Sequence, residues 1–569
     1  MLRPCSPLAL LLAALAGLAC AHRPGPPLAP PAPPVEVAPA PPAPPPEVPA
    51  GPTPEERAAR LAAVRSGVDA LLAVQARLVW ASWTRGQAPD FGPSERAHEE
   101  LFSTETIAFV GAEREGTEGD DHRALSLLHA FLVGEHLSRA APAQEGAAED
   151  ALSWDGQLQP AWRIPSLLAA EPDPARRAAL ERAWAAAERR GAPARIARWQ
   201  AIALSAKELG YPSLLDLAAE LRGLEVDRLS ALAEKLLAST DAAYRGLLGA
   251  QAKVELGREL SDLRGRDLPR LWRSSEDARA FPSGGATADV NETLSALGLE
   301  LPGAPAVLLD FEPRPGKDPR PLTVPVEVPG NVRVSYAPRG GIAEVRALLH
   351  EVGVADYYAR ITTPVLEFRR LGAVTAEAWA DLFEDLAYDP AWLAERTGLA
   401  ESHVAALVRS GAAQRLHRAR TLAARILVEV ARGRTPERLE QAAHAVLERA
   451  FARPVEPDEV DLFLADEDPL LEAADELDAL LIAARARLFL SARSEGPWWR
   501  SPASAAFLAS AFAEGSRLAP EDLARSLGGE GLDAAALAEV AVARAEAAGV
   551  RLEGAEAAAS EARPAEPSP

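Results

Sequence analysis

Cysteine is almost missing from this chain, since its 569 residues include only Cys5 and Cys20. Residues 21–569 therefore offer no disulfide, no thiol nucleophile and no cysteine-based metal site. Lysine and arginine are also in deficit, with 60 against 82 aspartates and glutamates, and no basic block occurs. The resulting net charge of −22 argues against a nucleic-acid partner, because phosphate binding needs a face rich in lysine and arginine.

Long hydrophobic runs are missing as well, and the apolar run Leu8–Leu18 is too short to span a bilayer. Because this run follows Arg3, we expect residues 1–20 to be a signal peptide. Its end, Gly17-Leu18-Ala19-Cys20, resembles a bacterial lipobox with Cys20 as the lipidated residue, although the motif prefers an aliphatic residue to Gly17. Ala19-Cys20-Ala21 also fits ordinary secretion. The expected location is the bacterial envelope, lipid-anchored at its periplasmic or outer-membrane face, with secretion as the alternative.

Composition divides the rest of the chain into three parts. Residues 21–53 are rich in proline and alanine, which is typical of an extended polyproline II linker. Residues 54–550 are rich in alanine, leucine, glutamate and arginine with helical periodicity, and this predicts a mainly α-helical domain. Short β-leaning runs at about 306–336 predict a small sheet, and the remainder, 551–569, has the composition of a disordered tail.

Periodicity and capping signals predict individual helices within the domain. The first begins at Pro54, because Thr53 and Glu56 form a capping-box pattern around it. The pattern predicts separate helices at 174–189 and 193–208, one helix over 226–253, and separate helices at 400–409 and 413–432. Two further helices, at about 342–360 and 375–387, contain the residues with the most informative chemistry.

The first of these two helices contains the sequence His350-Glu351-Val352-Gly353-Val354. It begins like the zinc-protease signature His-Glu-x-x-His, in which two histidines bind zinc and the glutamate activates a water molecule. Val354 stands where that signature has its second histidine. His-Glu alone carries little information, so the neighbouring sequence has to decide whether the likeness is meaningful.

The neighbouring sequence resembles the thimet-type oligopeptidases and their oligoendopeptidase relatives, which are gluzincin metallopeptidases. Before the motif come a Gly-Lys turn, Pro-Val-Glu-Val-Pro-Gly and Pro338-Arg339-Gly340-Gly341, and after it comes a stretch from Glu377 to Pro390 that looks like the family's second active-site helix. The resemblance implies a two-lobed helical fold that encloses a channel, with a small sheet next to the active-site helix. It also implies zinc as the cofactor, His350 and Glu377 as ligands, and Glu351 as general base.

The departures from the family pattern fall on the site itself. Val354 has no lone pair for a metal, Tyr357 stands where the family has a third histidine, and no tyrosine follows Tyr388. The family's oxyanion-stabilising His/Tyr group near the C-terminus is therefore missing. Asp381 shares a helix face with Glu377 and is a possible substitute ligand. In the alternative interpretation, Asp381 and Glu384 form the polar wall of a solvated cleft.

These observations leave three hypotheses about function. The first is an envelope-tethered pseudopeptidase that binds short peptides or an envelope protein, with Glu351 vestigial and zinc binding weak or absent. The second is an active zinc oligopeptidase that hydrolyses short peptides with a rebuilt metal site. The third is a purely structural envelope protein in which the channel has closed. In each of them the membrane is reached only through the lipid on Cys20.

Overall fold

The structure is a computed structural model that describes residues 52–140, 152–273 and 280–552. The expected signal peptide with Cys20, nearly all of the linker, and all but two residues of the expected tail lie outside the described residues. None of the described helices is both long enough and apolar enough to cross a bilayer.

Helices dominate the described residues, which confirms the prediction of a mainly α-helical fold. The helices are α1 Pro54–Arg85, α2 Gly92–Ala97, α3 Thr104–Glu115, α4 Gly119–Ala140, α5 Ile164–Ala170, α6 Pro174–Glu208, α7 Leu214–Arg222, α8 Val226–Ser239, α9 Asp241–Leu256, α10 Leu268–Leu271, α11 Gly285–Leu297, α12 Ile342–Arg360, α13 Leu366–Arg370, α14 Ala373–Glu384, α15 Pro390–Thr397, α16 Glu401–Arg434, α17 Leu439–Phe451, α18 Pro457–Ala465, α19 Glu472–Ala492, α20 Pro502–Ala513, α21 Pro520–Ser526 and α22 Ala535–Ala547. The strands are β1 Leu152–Trp154, β2 Gln157–Gln159, β3 Val307–Asp310, β4 Leu322–Glu327 and β5 Asn331–Ser335.

The larger sheet lies beside α12 and has the strand order β3-β5-β4. Strand β5 pairs in parallel with β3 and antiparallel with β4, so β3 and β4 are the edge strands of this sheet. The chain leaves β5 and reaches α12 through Gly340 and Gly341, whose φ values are +88° and +93°. A side chain at Gly340 would also come within 2.9 Å of the Ser283 backbone nitrogen, so this entry to α12 requires glycine.

Helix α12 is at the centre of the main hydrophobic core. Its residues 348–358 are all buried, and so is every residue of α14 from Thr375 onward. The two helices pack against each other, and α19 covers the other side of α14. A helix that is buried all round must satisfy its polar side chains inside the protein, and this requirement shapes the site described below.

Several helix boundaries differ from the predicted ones. Helix α6 runs unbroken through Pro193, whereas the segment 226–253 is divided at Thr240 into α8 and α9. The predicted break near residue 411 does not occur, since Gly411 lies inside α16. A side chain there would come 2.1 Å from Tyr388 Cδ1, so Gly411 makes room for the tyrosine ring rather than ending a helix. The hairpin β1–β2 was not predicted, because its strands are only three residues long.

Candidate active site

His350 lies between two carboxylates of α14. Its Nδ1 is 3.1 Å from Glu384 Oε2, and its Nε2 is 3.4 Å from Glu377 Oε2. Burial favours the neutral ring, but the hydrogen bonds and charges of the two glutamates prevail and raise the pKa of His350 well above its usual value. Each ring nitrogen therefore faces a carboxylate oxygen that can accept its proton.

Glu384 is the ionised partner in this arrangement. Burial raises its pKa, but the hydrogen bond to His350 and the charges of Arg346 and Arg418 outweigh burial and hold the pKa below its usual value. Arg346 Nε lies 3.4 Å from Glu384 Oε1, and the Tyr388 hydroxyl donates to the same oxygen at 3.4 Å. The second carboxylate oxygen is the one that contacts His350.

Asp381 has no exposed surface, and its negative charge is paired with two arginines of α16. Arg418 Nη1 is 3.0 Å from Asp381 Oδ1, and Arg415 Nη1 is 3.7 Å from the same oxygen. Burial raises the pKa of Asp381, and the two guanidinium groups oppose that shift. The prediction that Asp381 and Glu384 line a solvated cleft is therefore wrong, because both are buried and ion-paired.

A second layer of charge holds the arginines in position. Arg415 Nε lies 3.1 Å from Asp385 Oδ1, and Arg487 and Arg544 contact the other oxygen of Asp385. Burial raises the pKa of Asp385, but the charges of these three arginines prevail and lower it to about 2. The ionised network therefore extends from His350 on α12 through α14 to α16, α19 and α22.

Sequence reasoning missed the arginines and Tyr388 as parts of this site. A signal was present in α16, which contains seven arginines, Arg415 and Arg418 among them, between short runs of apolar residues. Arginines are almost never buried without an acidic partner, so any of them that faced the core indicated buried carboxylates elsewhere. Which carboxylates they contact depends on packing between helices, and no local pattern encodes it.

Glu351 is held by the backbone of the neighbouring sheet. The Thr323 N–H donates to Glu351 Oε2 at 2.6 Å, and the Thr323 hydroxyl donates to the Glu351 carbonyl at 2.7 Å. Thr323 lies on the edge strand β4, where alternate backbone groups are outside the ladder. Arg346, on the same helix, instead contacts Glu384, Tyr388 and Gln414.

We expect Glu351→Gln to change the free energy of unfolding by less than about 1 kcal/mol, because an amide oxygen can still accept the Thr323 N–H. Glu351→Leu should cost about 1–3 kcal/mol, since it leaves that buried donor unpaired.

Burial raises the pKa of Glu351, so the folded chain binds its proton more tightly than the unfolded chain does. Its contribution to stability is therefore present at low pH and lost as pH rises.

The raised pKa of His350 acts in the same direction, and stability should fall between about pH 5 and pH 9. Urea unfolding of wild type and Glu351→Gln at both pH values measures the two effects. If the free energy of unfolding falls equally steeply with pH in the variant, then Glu351 does not contribute to the pH dependence.

Val354, at the second histidine position of the zinc signature, is fully buried in the hydrophobic core. Tyr357 is also buried, with its ring centroid 5.1 Å from that of Tyr358 and 5.8 Å from that of Phe512. Both positions therefore serve packing. The ligand set implied by the resemblance is reduced to His350 and Glu377, which is fewer than the three protein ligands of a catalytic zinc site. The family's ligand set does not fit here.

A different group of possible ligands does converge. His350, Asp381 and Glu384 each offer one ligand atom, and these atoms lie within 4.8 Å of one another, which no other such triad does in the part of the chain that the structure describes. Asp381 Oδ2 is buried and has no hydrogen-bond partner among the described residues. However, Arg418 Nη1 lies 3.0 Å from Asp381 Oδ1 and 4.0 Å from Glu384 Oε2, so a guanidinium already supplies positive charge there.

A cavity of about 1430 Å³ reaches this site from the N-terminal helices. Its walls come from α4, α7 and α8 on one side and from the start of α14 and of α19 on the other. Glu377 lines the cavity, whereas His350, Glu351, Asp381 and Glu384 are not part of its lining. A molecule in the cavity would therefore meet Glu377 first.

Comparison with solved structures relates this arrangement to known proteins. A protein of Bacillus anthracis str. Ames described as an oligoendopeptidase F superimposes with a TM-score of 0.59 over 87% of this chain and 96% of that chain. The fold is oligoendopeptidase-like. Sequence identity is 11%, so the likeness concerns the fold alone. No protein-family model matches the sequence. No curated protein matches it either.

Proposed function

We propose that this chain is a non-catalytic, oligoendopeptidase-like protein that binds short peptides in its cavity. The observation that carries the proposal is Val354, a fully buried apolar residue at the second histidine position of the zinc signature. His350 and Glu377 alone are fewer than the three protein ligands of a catalytic zinc site. Glu351 then has no metal-bound water to deprotonate, and its carboxylate serves as an acceptor for Thr323.

The peptide-binding half of the proposal is supported by the fold and by the cavity. The cavity volume of about 1430 Å³ exceeds the roughly 300–1,000 Å³ of pockets for small molecules, so a chain of several residues has room. We further propose that the protein is anchored in a bacterial envelope through a lipid on Cys20, with secretion as the alternative. An envelope protein rather than a free peptide remains the other candidate partner.

A capture experiment tests the proposed function. Immobilised full-length chain is incubated with a random heptapeptide library in the presence of EDTA, and the retained and free peptides are identified by mass spectrometry. We expect a retained fraction whose peptides are all intact, because neither binding nor the fold depends on a metal. No retention, or retention that requires added zinc, would contradict the proposal.

A zinc peptidase with a rebuilt site is the second candidate. It is favoured by the convergence of His350, Asp381 and Glu384 and by the unpartnered Asp381 Oδ2. A zinc ion held by these three residues would supply Lewis-acid activation of water. For this to occur His350 has to lose a proton and Arg418 has to give up its contact with Asp381, so we rank this function below the first.

A further inference from the structure

The far wall of the cavity contains a carboxylate that the protein itself leaves without a partner. Asp478, on α19, lines the cavity and is only 5% exposed. It makes no hydrogen bond and no ion pair with another described residue, although nearly all other buried carboxylates in the described ranges have at least one. A buried carboxylate without a partner is costly, so a residue of this kind needs an explanation.

The residues around Asp478 are mostly acidic and do not compensate its negative charge. The lining of the cavity includes thirteen aspartates and glutamates but only seven lysines and arginines. Burial raises the pKa of Asp478 well above its usual value, and the negative charges of Asp475 and Glu521 add to this, while Arg222 alone opposes it. Arg222 is directed at a different group, since its Nη2 lies 3.2 Å from Asp475 Oδ2.

The neighbouring carboxylates already have partners of their own. Glu521 pairs with Arg228 and accepts the Leu532 N–H at 2.6 Å, and Asp475 pairs with Arg222. Asp478 is therefore the one member of this trio whose carboxylate is available to a molecule in the cavity. The three residues do not bring ligand atoms within 4.8 Å of one another, as a shared metal ion would require. An organic cation, in contrast, needs only one close carboxylate.

We propose that Asp478 is the base of a subsite that binds an organic cation of a bound peptide, an ammonium or a guanidinium group. The inference rests on the peptide-binding function proposed above and adds a substrate class to it, namely peptides that carry a positive charge. Such a cation would form a charge-assisted hydrogen bond with the largely buried Asp478 carboxylate. The surplus of carboxylates would draw cationic peptides into the cavity.

The test compares two N-acetylated heptapeptide libraries whose six outer positions are random among uncharged residues and whose central position is lysine in one and norleucine in the other. A third library has the norleucine centre and a free N-terminus, so it carries only the terminal ammonium. Each is captured on immobilised wild-type chain, Asp478→Asn or Glu115→Gln. Glu115 is the matched control, because it is an exposed carboxylate in the lining of the same cavity.

We expect wild type and Glu115→Gln to retain a cationic library about 10- to 100-fold better than the neutral one, as a buried charged hydrogen bond warrants. Asp478→Asn should lose that preference while keeping its affinity for the neutral library. Preference for the lysine library places a side chain in the subsite, and preference for the free N-terminus places the peptide's amino group there. Equal retention of all three by wild type would overturn this inference alone, whereas no retention of any library would overturn the proposed function as well.

Discussion

Arg418→Met should destabilise the fold by about 3 kcal/mol, the lower end of what is lost when a buried ion pair is broken. The variant leaves the fully buried Asp381 with only the more distant Arg415, and it removes positive charge beside Glu384. The lower end of the range applies because the Arg418 side chain is 22% exposed. Urea unfolding followed by circular dichroism measures the change.

Two further variants isolate the cause. Arg449→Met removes an arginine whose pair with Glu234 is exposed on both sides, and it should cost less than about 1 kcal/mol. The double variant Arg418→Met/Asp381→Asn should regain part of the lost stability, because it removes the stranded carboxylate. If Arg418→Met lowers the free energy of unfolding no more than Arg449→Met does, then the buried network is not what holds these helices together.

Val354→His should convert the site into one that keeps zinc. The new imidazole would lie one turn after His350 on the same face of α12, and Glu377 Oε2 is already 3.4 Å from His350 Nε2. We expect about one zinc per chain after dialysis, measured by elemental analysis, against almost none for wild type. Turnover should stay about 10²- to 10³-fold below that of a complete site, because no His/Tyr group stabilises the oxyanion.

Val352→His is the matched control for this gain of metal. Val352 is also buried on α12, but two residues from His350 its side chain faces another direction. It should therefore suffer a similar loss of stability from a buried imidazole without gaining zinc. Equal zinc contents in the two variants would contradict the proposed geometry, and so would a Val354→His chain that cleaves peptides as fast as an intact peptidase.

The helices that carry the site could be predicted from the sequence more fully than the side-chain contacts between them. The helix predicted at 342–360 has the same bounds as α12, because the glycine pair before it and its buried apolar pattern are local signals. The helix predicted at 375–387 becomes α14 followed by a 3₁₀ turn from Asp385 to Tyr388. That turn places Tyr388 against Gly411 of α16, a contact that no local pattern encodes.

The electrostatic partners could not be predicted for the same reason. Asp381 and Arg418 are 37 residues apart in sequence, and Glu351 and Thr323 are 28 residues apart. Periodicity places each of these residues on a helix or strand, but only the packing of α12, α14 and α16 decides which charges meet. Asp381 and Glu384 therefore looked like a solvated wall in the sequence, whereas the structure has them buried against arginines.

The most direct test of the pseudopeptidase account is sensitive peptide hydrolysis by wild type and Glu351→Gln, purified side by side and assayed with added zinc. The account predicts that the two proteins release the same background level of products and that wild type holds no stoichiometric zinc after dialysis. Cleavage by wild type that disappears in Glu351→Gln would contradict the account, because it would mean that Glu351 still activates a water molecule at a working metal site.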